Sequence, residues 1–113
     1  MTVTIWHNPR CGNSRGALEH IRAAGIEPVI RDYLTDVPSE AELRKVLKES
    51  GLRVIELVRR KEAVFDELGL DGADDATLLA AMRKHPILIN RPVVITPKGT
   101  NLCRPPEKAL ALL

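Results

Sequence analysis

Aromatic residues and cysteines are both scarce in this chain: Trp6, Tyr33 and Phe65 are the only aromatics among 113 residues, and Cys11 and Cys103 the only thiols. Two thiols so far apart fit neither a paired-cysteine zinc pattern nor a disulfide framework. A chain of this length also buries enough surface to fold without either. No apolar run approaches the roughly 20 residues of a membrane span, and Met1–Trp6 lacks the charged opening and long apolar stretch of a signal peptide. Low-complexity tracts, linkers and internal repeats are missing as well. With 44% hydrophobic and 28% charged residues, the composition is that of a folded chain rather than a disordered one. These absences predict a single domain over residues 1–113, with no membrane segment, in the reducing cytoplasm where both cysteines are free thiols.

The formal net charge of +2 conceals an uneven distribution. Residues 1–31 carry four basic and two acidic side chains, residues 32–75 seven and twelve, and residues 76–113 six and one. If the two basic ends meet in the fold, they form a positive pocket suited to a small anion rather than an extended nucleic-acid surface.

The order of elements reads as α/β. Val3-Thr4-Ile5-Trp6 is a β-branched and aromatic run stopped by His7-Asn8-Pro9. From Ser14 the period turns helical, with Ala17, Leu18, Ile21 and Ala24 on one face and Gly25 as the stop, and Pro28–Tyr33 reads as a second strand. That is a βαβ unit, whose strands are expected to run parallel with a right-handed crossover. Ser39 and Glu42 form a capping-box pair ahead of Leu43, Val46 and Leu47, and Gly51 closes that helix. Short helices are expected around Ile55–Val58, around Phe65 and Leu68, and through Leu78–Met82 up to Pro86, so residues 39–85 read as a helical insertion. Pro92–Ile95 and Leu102-Cys103, joined by a turn at Pro97-Lys98-Gly99, read as a β-hairpin. Pro105-Pro106 then opens a last helix whose buried face is expected to be Ala109, Leu110 and Leu113. The expected architecture is a small mixed sheet, βαβ then ββα, with a helical insertion between the halves.

The densest chemistry lies in His7-Asn8-Pro9-Arg10-Cys11-Gly12-Asn13-Ser14-Arg15, which sets a cysteine between the end of a strand and the start of a helix. Unpaired backbone N–H groups and the positive dipole end of a helix favour a thiolate, the form that attacks electrophiles. Arg10 and Arg15 add positive charge, and His7 adds to it when protonated. Gly12 leaves room for close approach, and Ser14 can cap the helix or donate to the sulfur. The same N–H groups would also hold an oxyanion. An isolated cysteine is more often an inert small hydrophobe, but this one follows Pro9 in a polar, basic loop.

This loop resembles the active-site loop of the glutaredoxin-linked arsenate reductases. Tyr33-Leu34, Glu67-Leu68-Gly69-Leu70, His85–Pro92, Thr96–Thr100 and Cys103–Glu107 are similar to that family in kind and order. The resemblance implies a thioredoxin-like fold and arsenate as substrate, reduced to arsenite with glutathione as co-substrate and glutaredoxin as partner. It implies no bound cofactor or metal and, with no nucleic acid or membrane as partner, a monomer. Carried over by position, Cys11 matches the nucleophile, Arg59, Arg91 and Arg104 match three anion-binding arginines, and Pro92 matches a cis-proline beside the reactive cysteine. Guanidinium groups suit a multiply charged tetrahedral oxyanion because they present forked donors and keep their charge. Arg60, next to Arg59, would point about 100° away on a helix, and the family register of Leu57-Val58 favours Arg59.

Cys103 is read as structural, because strand alternation with Arg104 facing the site turns Cys103 the other way. His20 is read as a surface residue and His85 as a helix C-cap. Two other readings stand beside arsenate reduction. Spx-like regulators of the same fold family bind RNA polymerase and sense oxidation through Cys-x-x-Cys, whereas here the fourth position is Ser14. An arsenate-reductase-like thiol enzyme of other substrate would keep the same loop.

Overall fold

The β-branched run at the N-terminus forms β1 (Thr4–Trp6), and the helical period that follows forms α1 (Gly12–Ala23). In this computed structural model, which describes residues Met1–Leu113, the chain divides into two compact units. Met1–Asp36 and Arg91–Leu113 make the first, and Val37–Asn90 the second. Both basic ends therefore belong to one unit. No helix is long and apolar enough to cross a membrane.

The first unit is built on a four-stranded mixed sheet in the order β2-β1-β3-β4, with β2 spanning Val29–Arg31, β3 Val93–Thr96 and β4 Gly99–Leu102. β1 and β2 run parallel with Ile5 opposite Ile30, as the βαβ reading requires. β3 lies antiparallel on the other side of β1, with Val94 opposite Ile5, and forms the expected hairpin with β4. The core under the sheet is Val3, Ile5, Ala17, Ile21, Val94, Cys103 and Ala109, all at most 2% exposed. α1 packs here against a C-terminal 3-10 helix, Pro106–Leu112. Gly16 is the contact point: a Cβ there would stand 3.0 Å from Pro106 Cγ, so the close approach needs glycine.

Three local expectations are corrected in this unit. The second strand is three residues long rather than Pro28–Tyr33, because the ladder with β1 ends where β1 does. Pro92 lies just before β3, and the hairpin strands are Val93–Thr96 and Gly99–Leu102. The last helix is 3-10, and Leu110 is 50% exposed instead of buried. A repeat of three residues per turn puts Pro106, Ala109 and Leu112 in one row, and Leu110 outside it.

The second unit is helical, with α2 (Glu40–Ser50), α3 (Val54–Leu57), α4 (Ala63–Glu67), α5 (Asp75–Lys84) and a 3-10 turn at Pro86–Leu88. Leu68 is the C-cap of α4, not a helical residue. The capping box is complete: Ser39 Oγ accepts from Glu42 N–H at 3.1 Å, and Ser39 N–H donates to Glu42 Oε1 at 3.0 Å. Gly51 ends α2 with φ 73°, a left-handed conformation that glycine adopts without a Cβ penalty. Ser39→Ala removes one side of the box and is expected to lower unfolding free energy by about 1 kcal/mol, measured by urea denaturation, with no change in Cys11 reactivity.

Candidate active site

Cys11 sits where β1 has ended and α1 begins. It is the N-cap of α1, with extended backbone (φ −95°, ψ 122°), and no side-chain hydrogen bond caps the helix. The loop is closed by Cys11 N–H donating to the Asn8 carbonyl at 3.0 Å, and the helix is opened by Arg15 N–H donating to the Cys11 carbonyl at 3.0 Å. The first N–H groups of α1 are thereby turned toward the sulfur. The Arg15 guanidinium reaches back to the Pro9 carbonyl at 2.9 Å and pins the loop from outside.

The second wall of the site comes from the far end of the chain. Arg104 Nη1 lies 3.6 Å from Cys11 Sγ and donates to the Arg91 carbonyl at 2.8 Å. Arg91 itself is 6% exposed. Burial pushes the Cys11 thiol up, but the backbone N–H of Ser14, the Arg104 guanidinium and the backbone N–H of Asn13 outweigh it, and the thiol is held below its ordinary value. The thiolate is thus stabilised by fixed donors and charge rather than by a general base.

His7 and Ser14 take parts different from those the sequence suggests. Burial pushes His7 below the ordinary imidazole value, and Arg22 and Arg15 push it further down against an opposing pull from Asp32. The neutral ring is thereby favoured, and its contact in the structure is a hydrogen bond to Ser14. His7 Nδ1 stands 2.6 Å from Ser14 Oγ, and the same oxygen accepts Asn8 N–H at 3.0 Å. The Ser14 hydroxyl is therefore engaged with the loop, and the backbone N–H of Ser14 serves the sulfur. Gly12, the first residue of α1, has only Arg15 Nη2 within 4 Å of where a Cβ would stand, at 3.8 Å, which leaves the approach to Cys11 open. Asn8, 3% exposed, joins the loop with both backbone and side chain, and no motif in the sequence singles it out.

The sequence profile of the ArsC family matches residues 6–112. The chain belongs to the ArsC family. It is 53% identical to an arsenate reductase of Rhizobium meliloti (strain 1021) over 100% of this chain and 82% of that one. It is 50% identical to an arsenate reductase of Escherichia coli over 98% of this chain and 80% of the other. Among solved structures, an arsenate reductase from Vibrio cholerae superposes with a TM-score of 0.95 at 40% identity, covering 100% of this chain and 98% of that one. The thioredoxin-like α/β architecture implied by the resemblance holds.

In this member of the ArsC family the Arg91-Pro92 bond is cis, as the resemblance implied, and Arg104-Pro105 is a second cis bond that no sequence feature predicts. The Pro92 carbonyl accepts Cys103 N–H at 2.8 Å, so Cys103 continues the hairpin ladder. Its side chain is fully buried in the core, where desolvation pushes the thiol up to about 11. Cys103 thus lies in the core while Arg104 reaches the Cys11 sulfur, although β4 ends at Leu102 and the chain bends at Arg104, whose N–H donates to the Leu102 carbonyl at 3.2 Å, so the separation does not come from strand alternation. His85 is the C-cap of α5, and His20, partly exposed, stands 3.9 Å from Glu107.

Arg59 belongs to the second unit. α3 ends at Leu57 and the chain is extended at Val58, so the helical angle between Arg59 and Arg60 does not apply. Arg59 N–H donates to the Leu88 carbonyl at 2.7 Å and its Nε pairs with Glu62 at 3.4 Å. Arg60 is exposed and lines a cleft of about 490 Å³ with Arg53, Asp71 and Asp75. No three His, Cys, Asp or Glu side chains are grouped to hold a metal ion.

Proposed function

We propose that this chain reduces arsenate to arsenite, with Cys11 as nucleophile, Arg91 and Arg104 as oxyanion ligands and glutathione with glutaredoxin as the electron source. The observation that carries the reading is the Cys11 sulfur held between the N-terminus of α1 and the Arg104 guanidinium, 3.6 Å away. A thiolate and an arsenate dianion repel each other, so the site has to supply positive charge that stays in place during attack. Guanidinium groups and helix N–H donors meet that need without exchanging protons.

The reaction divides into thiol exchange steps. The Cys11 thiolate bonds to arsenic, and one arsenate oxygen leaves as water after taking up protons from solvent. Glutathione thiolate then bonds to the same arsenic and expels a second water. Glutaredoxin thiolate attacks the glutathione sulfur, forming a mixed disulfide, and the pair from the broken sulfur–arsenic bond stays on arsenic, which passes from As(V) to As(III). Water replaces the Cys11 sulfur, releasing arsenite and restoring the thiol. No metal or flavin enters these steps. The resemblance adds Arg59 to the anion-binding set, and loss of arsenate affinity in Arg59→Ala tests its place there. The same reading takes the protein as a cytoplasmic monomer.

The test is arsenite formation from arsenate by the purified protein with glutathione, with and without glutaredoxin. Turnover is expected with both thiol partners and is expected to fall at least about 10-fold without glutaredoxin, since thiol–disulfide exchange rates depend on the attacking thiol. Turnover with glutathione alone at the full rate removes glutaredoxin from the scheme, and no arsenite under any condition removes arsenate.

A further inference from the structure

The parallel pairing of β1 and β2 puts Trp6 opposite Arg31 as its last rung. Asn8 and Tyr33 each lie two residues past the ends of those strands, in the loops that leave β1 and β2. Both are buried, Asn8 at 3% and Tyr33 at 0% exposure. Asn8 Nδ2 donates to the Tyr33 hydroxyl at 3.2 Å.

Each polar group of Asn8 is committed. Oδ1 accepts Arg10 N–H at 3.0 Å, folding the loop back over the side chain, and the backbone N–H donates to Ser14 Oγ at 3.0 Å. The backbone carbonyl accepts Cys11 N–H at 3.0 Å. One residue, through its carboxamide and both backbone groups, therefore ties the path from the end of β1 to the N-cap of α1. The carboxamide's orientation is specified by Arg10 N–H, a donor that only the carboxamide oxygen can accept, and the NH2 is thereby directed onto the Tyr33 hydroxyl, which anchors its other end.

The geometry points to Asn8 and Tyr33 as a positioning pair: the Tyr33 hydroxyl locks the Asn8 carboxamide, which folds residues 8–11 so that the Cys11 sulfur meets the first N–H groups of α1. Neither residue touches the sulfur, and each acts through the loop. The pair sets how readily Cys11 reacts with any electrophile, so the inference rests on Cys11 as the reactive thiol but not on arsenate as its substrate.

The test is the pH profile of Cys11 alkylation by iodoacetamide in the folded protein, followed by mass spectrometry of the Cys11 peptide. Tyr33→Phe removes one oxygen and keeps the ring. It is expected to move the midpoint of the profile upward by about half to one pH unit and to slow alkylation at pH 7 about three- to tenfold, because thiolate fraction changes tenfold per unit. Asn8→Ala removes the same link from the other side, and decides the matter if Tyr33→Phe does not fold. In the double variant the shift is expected to be no larger than in Asn8→Ala alone, as for two residues acting through one contact. Ile21→Val, a core change away from the loop, is expected to lower the melting temperature with the profile unmoved. A wild-type profile in Tyr33→Phe, additive shifts in the double variant, or an equal shift in Ile21→Val each overturns the proposal.

Discussion

Cys11→Ser abolishes arsenite formation, by at least about 10³-fold, while the protein keeps its fold. Serine occupies almost the same volume at the N-cap and suits that position, so circular dichroism and the denaturation midpoint at neutral pH stay close to wild type. What is lost is ionisation: the donors of α1 and Arg104 hold the thiol below its ordinary value, and no such arrangement ionises an aliphatic hydroxyl near neutral pH. Retained glutathione-dependent reduction in this variant would exclude Cys11 as nucleophile. The substitution also has a thermodynamic signature. Because the folded state favours the thiolate, Cys11 contributes stability that is present above the unfolded thiol's pKa and is lost as pH falls through the lower folded pKa. Denaturation measured across that interval should show the dependence in wild type and not in Cys11→Ser.

Arg104→Ala is the second large effect, expected to lower kcat/KM for arsenate by about 10²- to 10³-fold, the usual cost of removing a donor aimed at developing oxyanion charge. Arg104 Nη1 serves the sulfur and the Arg91 carbonyl together, so its loss acts in two ways. The alkylation midpoint of Cys11 rises, because the guanidinium is one of the groups that hold the thiolate, and the loop before Pro92 loses a tie. Arg104→Lys keeps the charge without the fork and is expected to recover the midpoint better than kcat/KM. Equal recovery of both would mean that charge alone is required.

Much of the frame follows from local pattern. Ser39 with Glu42, Gly51 as a left-handed stop, and the βαβ order from Val3 to Arg31 are short-range signals, and each stands in the structure as expected. The placement of Cys11 at the head of α1 is legible for the same reason. The departures arise where the outcome depends on partners distant in sequence. Leu110 is exposed because the C-terminal segment winds with three residues per turn against α1. His7 is pushed below its ordinary value by burial and the charges of Arg22 and Arg15, which its own tripeptide does not reveal. The part of Asn8 depends on Tyr33, 25 residues away, whose hydroxyl accepts from its carboxamide.

The hydrogen bond between Arg104 and the Cys11 sulfur spans 93 positions of sequence. At a synthesis rate of about 5–20 residues per second, roughly 5–20 seconds separate the appearance of the thiol from that of the guanidinium that sharpens it. For most of that interval the nascent chain also lacks β3, the neighbour of β1 opposite β2. The part of the thiol's ionisation that α1 supplies can form early, and the part that Arg104 supplies is added only when the end of the chain has joined the sheet.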